Sequence, residues 1–111
     1  MQIFGIGTDI VKVNRIKNSL KNKIFLSKVF NKNEILNCKR KNNSSSCYSK
    51  RFAAKEAFSK ALGTGISSGL NFNEIEVKND NKRKPYLNIK GESLKVTKKI
   101  LKKKKFKTFL S

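Results

Sequence analysis

Histidine is absent from the 111 residues, and only two cysteines, Cys38 and Cys47, are present. The pair is not spaced as a zinc site, and no imidazole exists to complete one. Both thiols are expected to be free, as in the reducing cytoplasm. No stretch approaches the roughly 18 unbroken apolar residues that a spanning helix requires. Met1-Gln2-Ile3-Phe4 places no basic region ahead of a long apolar run, so no secretory signal is expected. The expectation is a cytoplasmic protein that does not associate with membranes. Acid is the scarcest chemistry: 7 Asp+Glu stand against 27 Lys+Arg, a formal charge of +20. That balance points to an acidic partner. Arginine, the preferred reader of base edges, is scarce, and few aromatics interleave with the basic runs as stacking platforms would. The charge therefore calls for a polyanion without singling out nucleic acid.

What remains suits one domain spanning residues 1–111. With 37% hydrophobic residues the chain can bury a modest core, and oligomerisation would bury more. Ile3-Phe4-Gly5-Ile6-Gly7-Thr8-Asp9-Ile10-Val11 reads as a buried strand, with Gly5 and Gly7 leaving room for a close neighbour. Asp9 is its anomaly. A carboxylate in an apolar strand must be paired, protonated or bound to a cation, unless it caps the strand's end. Val13–Leu20 reads as a helix capped by Asn14, with Ile16 and Leu20 on one face. Ile24–Leu26 and Val29-Phe30 suggest a short helix or packed loop. Asn31-Lys32-Asn33-Glu34 has the form of a capping box ahead of Ile35–Cys38. Asn42–Ser46 is a polar loop, after which a long helix is expected to begin near Cys47 or Tyr48. Ile75–Lys78 and Pro85–Ile89 form strands around a turn at Asn79–Lys82, with Pro85 tolerated at the first strand position. Gly91 precedes a last helix carrying Leu94, Thr97, Ile100 and Leu101. Lys102–Lys105 is a solvated face, and Phe106–Leu110 reads as a closing strand.

The stretch from Arg51 to Gly65 (RFAAKEAFSKALGTG) organises the rest. It is rich in helix formers, and Gly63 stands where a helix would stop. Phe52, Phe58, Ala61 and Leu62, with Ala53 and Ala57, supply an apolar stripe at helical spacing. Glu56 and Lys60 project side by side, one turn apart. Two readings of that pair stand at this point. One is an ordinary surface pair worth about 0.2–0.5 kcal/mol. The other is a carboxylate and an ammonium that hold a metal ion and a phosphate together. Gly63–Gly69 likewise serves either as a C-cap and loop or as a segment whose amides approach a phosphate.

Taken together, Gly5–Val11, Arg15 six residues after Asp9, Arg51–Gly65, Ile75-Glu76-Val77 and Lys84-Pro85 resemble the holo-[acyl-carrier-protein] synthase family, the small trimeric 4′-phosphopantetheinyl transferases. The resemblance covers nearly the whole chain. It implies an α+β fold in which an antiparallel sheet packs against a long central helix. It also implies transfer of phosphopantetheine from coenzyme A to a serine of acyl carrier protein, releasing adenosine 3′,5′-diphosphate, in fatty acid biosynthesis. By that resemblance Asp9 and Glu56 are ligands of magnesium (Mg2+), and Lys60 is the cation beside the transferring phosphate. Glu56 and Lys60 are thus the catalytic pair. Gly63, Thr64 and Gly65 match the family's segment near coenzyme A, between neighbouring subunits of a homotrimer. Arg51 is a contact to the adenosine phosphates, and Lys55 a weaker ligand-facing candidate. Arg15 stands at the family's docking position for the acidic carrier protein, with Lys17 and Lys21 extending the patch. The family continues beyond the position of Ser111 with a Ser-His motif and a further strand that this sequence does not carry. An exposed sheet edge and a weakened trimer would follow. An inactive truncated transferase is therefore one alternative reading. A basic nucleic-acid-binding module is another, against which scarce arginine and Asp9 both argue.

Overall fold

Asn31 and Glu34 close the capping box that their spacing predicts: the Asn31 side chain accepts from the Glu34 amide at 2.9 Å, and Glu34 Oε1 accepts from the Asn31 amide at 3.1 Å. In the computed structural model, which describes residues 15–63 and 69–110, this box starts helix α2 (Lys32–Lys39). Before it come helical residues 15–19 and helix α1 (Lys23–Val29), capped by Asn22. The strand expected at Ile3–Val11 with Asp9, the Asn14 cap, and Thr64 and Gly65 all lie outside the described residues.

The central helix, α3 (Ser44–Leu62), begins three residues earlier than the sequence suggests. Asn43 is the reason: its side-chain oxygen accepts from the Ser46 amide at 3.1 Å, so the serine run becomes the first turn rather than a loop. Gly63 ends α3 in the left-handed region at φ 78°, donating to the Lys60 carbonyl at 3.0 Å. A single 3₁₀ turn (Phe72–Glu74) leads into strand β1 (Ile75–Asn79), which pairs antiparallel with β2 (Pro85–Ile89) in the register Ile75↔Ile89 to Asn79↔Pro85. Asp80 Oδ1 secures the connecting turn by accepting from the Lys82 and Lys84 amides, both at 2.8 Å. Among the described residues, the sheet has these two strands, and β1 packs on α3.

The last helix, α4 (Gly91–Leu110), runs through the segment expected to form a closing strand. Phe106, Phe109 and Leu110 are spaced as well for a helix face as for alternation, and the lysines before them are good helix formers. Propensity carried on from the preceding turns decides the matter. At the other end of α4, Gly91 sits at φ 59°, and a Cβ there would collide with the Glu74 carboxylate. That carboxylate caps the helix, accepting from the Glu92 amide at 3.2 Å and the Ser93 amide at 3.1 Å.

The core gathers Ile16, Val29, Phe30, Cys38, Cys47, Tyr48, Phe72 and Ile75. Phe30 meets Tyr48 edge-on with ring centres 4.9 Å apart, and Phe72 meets Phe52 at 5.9 Å. The buried stripe of α3 differs from the one expected. Phe52 and Phe58 pack only half-buried against the core, Ala61 is exposed, and the fully buried line includes Tyr48, Lys55, Ser59 and Leu62.

Lys55 corrects its expected place facing a ligand: it is 0% exposed. Its ammonium donates to the Val29 carbonyl at 2.6 Å, to Glu34 Oε1 at 2.6 Å and to the Phe72 carbonyl at 2.8 Å. These bonds use all three of its donors. Glu34 Oε2 also accepts from the Val77 amide at 3.1 Å. Burial pulls the Lys55 pKa below the ordinary 10.5, while the Glu34 carboxylate pulls it back up. Removing the ammonium leaves a buried carboxylate and two carbonyls without their cation. Lys55→Met is therefore expected to cost about 3–5 kcal/mol, a large fraction of the roughly 5–15 kcal/mol that holds a domain folded. Urea unfolding of the two proteins measures the loss; a change under about 1 kcal/mol would contradict this role.

Candidate functional site

Two chemically distinct regions lie along α3. Toward its C-terminal end, Glu56 and Lys60 sit one turn apart, the carboxylate half-buried and the ammonium exposed. Gly63 follows immediately at the left-handed cap, so the chain leaves the helix beside Lys60. Among the described residues there is no group of three side chains suited to hold a metal. Of the two predicted magnesium ligands, Glu56 is described and Asp9 is not. Arg15, Lys17 and Lys21 are all exposed.

The second region is a cleft of about 980 Å³ beside the N-terminal half of α3. It lies between α2, residues 40–43, the start of α3 and the β1–β2 hairpin. Arg40, Lys41, Lys50, Arg51 and Lys78 supply five cations to its lining, against the single carboxylate of Glu76. Leu36 and Tyr86, 55% and 48% exposed, add apolar surface to the same walls. Such a mixture suits a ligand with a flat apolar part and several negative charges. Of the predicted contacts to adenosine phosphates, Arg51 is here. The others in the cleft went unnoticed in the sequence, where the signal was the basic run Lys39-Arg40-Lys41 directly ahead of the polar turn.

Arg51 is positioned from behind. One guanidinium nitrogen donates to Cys47 Sγ at 2.9 Å, and its Nε is buried with no hydrogen-bond partner. Cys47 is itself bonded to Cys38, which overturns the expectation of two free thiols. The α2–α3 hairpin brings their Cα atoms to 5.4 Å, inside the range a disulfide spans. Spacing in sequence did not disclose that approach.

Glu76 does not cancel the cleft's charge. It is 2% exposed, and Lys90 donates to its Oε1 at 2.7 Å. Burial pushes its pKa up, but the bonds from Lys90 and Asn31 outweigh that and hold it below the ordinary 4.5. A carboxyl depressed on folding stabilises the fold fully above its unfolded value and loses that contribution as pH falls through the folded one. Glu76→Gln should accordingly flatten the dependence of stability on pH below about pH 4.5. Urea midpoints measured across the acid range check this, and parallel curves for the two proteins would count against it.

Comparison with known proteins supplies the remaining observations. Residues 5–109 match the family model described as the 4′-phosphopantetheinyl transferase superfamily. A holo-[acyl-carrier-protein] synthase of Pelagibacter ubique is 51% identical over 111 residues, covering 100% of this chain and 87% of that protein. One from Halothermothrix orenii is 50% identical over 98 residues, covering 86% of this chain and 78% of its own. Among solved structures, an acyl carrier protein synthase of Plasmodium yoelii with ADP bound superposes with a TM-score of 0.64 at 40% identity, covering 79% of this chain and 69% of that one.

Proposed function

Because the chain belongs to the 4′-phosphopantetheinyl transferase superfamily, we propose that it moves phosphopantetheine from coenzyme A to a serine of apo acyl carrier protein. The observation that carries this reading is an electropositive cleft opening on the same helix that bears Glu56 and Lys60. The cleft receives the adenosine phosphates of coenzyme A, with Arg51 among its donors. The Plasmodium yoelii relative with ADP bound is consistent with a diphosphate at such a site. Lys60 stands beside the diphosphate and stabilises charge that develops on its oxygens during transfer. Gly63, Thr64 and Gly65 follow Lys60 closely enough in the chain to bring backbone amides to the same group.

Glu56, together with Asp9, would hold magnesium. The donor set fits: Mg2+ typically takes one or two carboxylates and fills its other positions with phosphate oxygens and water. When bound, it neutralises charge on the leaving diphosphate. The reaction breaks the bond between the pantetheine phosphorus and the bridging diphosphate oxygen, forms the bond from serine Oγ to that phosphorus, and releases adenosine 3′,5′-diphosphate and the serine hydroxyl proton. The active assembly is a homotrimer with the nucleotide site at the subunit seam, as in the family the sequence resembles. Arg15, Lys17 and Lys21 form the docking face for the acidic carrier protein, and its approach is steered by charge. Fatty acid biosynthesis in the cytoplasm is the setting this chemistry fits.

Incubation with apo acyl carrier protein, coenzyme A and magnesium should add phosphopantetheine to the carrier, read by intact mass. Glu56→Ala or Asp9→Ala is expected to slow the transfer by about 100-fold or more. Wild-type rates in either variant, or no adduct from the parent protein, would refute the assignment. Arg15→Glu should raise the Michaelis constant for the carrier protein well above any change in that for coenzyme A. Equal effects on both substrates would argue against docking.

A further inference from the structure

The cysteine pair and the cleft share a wall. Cys38 lies near the end of α2 and Cys47 in the first turns of α3, nine positions apart. Between them run residues 40–43, each of which lines the cleft. Cys47 lines it too, and its sulfur is the acceptor for the Arg51 guanidinium at 2.9 Å. We propose that the Cys38–Cys47 pair is a redox clasp that sets the cleft's affinity for its anionic nucleotide. This rests on the reading of the cleft as the nucleotide site.

The mechanism follows from what the sulfur can accept. A disulfide sulfur is neutral and a weak acceptor, so the Arg51 charge remains available to a phosphate. Reduction converts Cys47 into a thiol beside a guanidinium, the setting that favours its thiolate. That thiolate holds Arg51 through a charge-assisted bond and removes one unit of positive charge from the lining. Reduction also unlinks residues 40–43 from their anchor, so Arg40 and Lys41 lose their fixed placement. Both effects weaken anion binding, and the oxidised form is the tight-binding one.

The pair is also asymmetric in a way that orders the chemistry. Cys47 is 8% exposed and Cys38 is 0% exposed. The Cys47 thiolate attacks one sulfur of a low-molecular-weight disulfide such as oxidised glutathione, forming a mixed disulfide and expelling one thiolate. Cys38 loses its proton to solvent, attacks the Cys47 sulfur and expels the second thiolate. Two protein thiols are oxidised and one small disulfide is reduced to two thiols. Excess reduced glutathione runs the sequence backwards.

The test uses the wild-type protein equilibrated with either oxidised or reduced glutathione and then freed of it. Alkylation followed by intact mass counts the thiols, and calorimetry with adenosine 3′,5′-diphosphate gives the affinity of each form. No modified cysteine is expected in the oxidised form and two in the reduced form, with binding roughly tenfold tighter when oxidised. Cys38→Ala kept in reduced glutathione, where no clasp can close and Cys47 stays unmodified, should bind with the weaker affinity, and binding as tight as that of the oxidised wild type would overturn the clasp. Two reactive thiols at every glutathione ratio, or equal affinity in the two forms, would overturn the clasp and leave the transferase reading standing. Absence of nucleotide binding in both forms would overturn the cleft assignment together with the clasp.

Discussion

One ammonium group ties together most of the elements around the central helix. Lys55 reaches from the middle of α3 and binds the last carbonyl of α1, the capping-box glutamate of α2 and a carbonyl of the 3₁₀ turn before β1. Glu34, held in this way, spends its second oxygen on the Val77 amide of β1. Four elements are thereby fixed relative to the helix that carries Glu56 and Lys60. A hydrophobic contact at the same place would be non-directional. Three donors with fixed acceptors impose one geometry, and the Phe30 ring 5.0 Å below the ammonium completes its surroundings. Burying a charge is costly in itself, so the net gain over an apolar core is small while the loss on removing one partner is large.

The consequence is a division of labour within α3. Tyr48, Lys55, Ser59 and Leu62 recur at intervals of seven, four and three and face inward. Arg51 looks into the cleft, while Glu56 and Lys60 sit a turn or more further along. Adjacent positions 55 and 56 thus carry opposite charges for unrelated purposes, one inside the core and one on the half-buried flank. A helix 19 residues long keeps the proposed nucleotide cleft and the proposed reacting pair on one rigid body.

Local features were legible in the sequence because their causes are local. The capping box at Asn31–Glu34, the Gly63 stop and the hairpin from Ile75 to Ile89 each depend on a few neighbouring residues and appear as expected. The residues that carry the resemblance announce the family, since a long motif on one helix is seldom duplicated by chance. What was not legible depends on tertiary approach. Lys55 reads as surface because lysine is almost never fully buried unless paired, and its partner stands 21 positions away. The signal was its phase, seven residues from both Tyr48 and Leu62. Cys38 and Cys47 meet only because α2 and α3 fold back on each other. The closing strand failed for a different reason: Phe106–Leu110 satisfies two periodicities at once, and continuity with α4 selects the helical one.

The shortage of acid ties these points together. The sequence has seven carboxylates: Asp9, Glu34, Glu56, Glu74, Glu76, Asp80 and Glu92. Five of them have defined structural work. Glu34 binds Lys55, Glu74 caps α4 with Ser93, Glu76 binds Lys90, Asp80 ties the hairpin turn, and Glu92 pairs with Lys95. Glu56, which also has a partner within the fold, and Asp9 are the two proposed as metal ligands. With so few anions, nearly all of the positive charge is left facing outward, since only Lys55 among the described lysines is buried. On the proposed reading, an acidic carrier protein and a polyanionic nucleotide would both gain from that imbalance through long-range attraction, and specificity would have to come from shaped sites, the cleft at Arg51 and the Glu56–Lys60 flank, rather than from net charge.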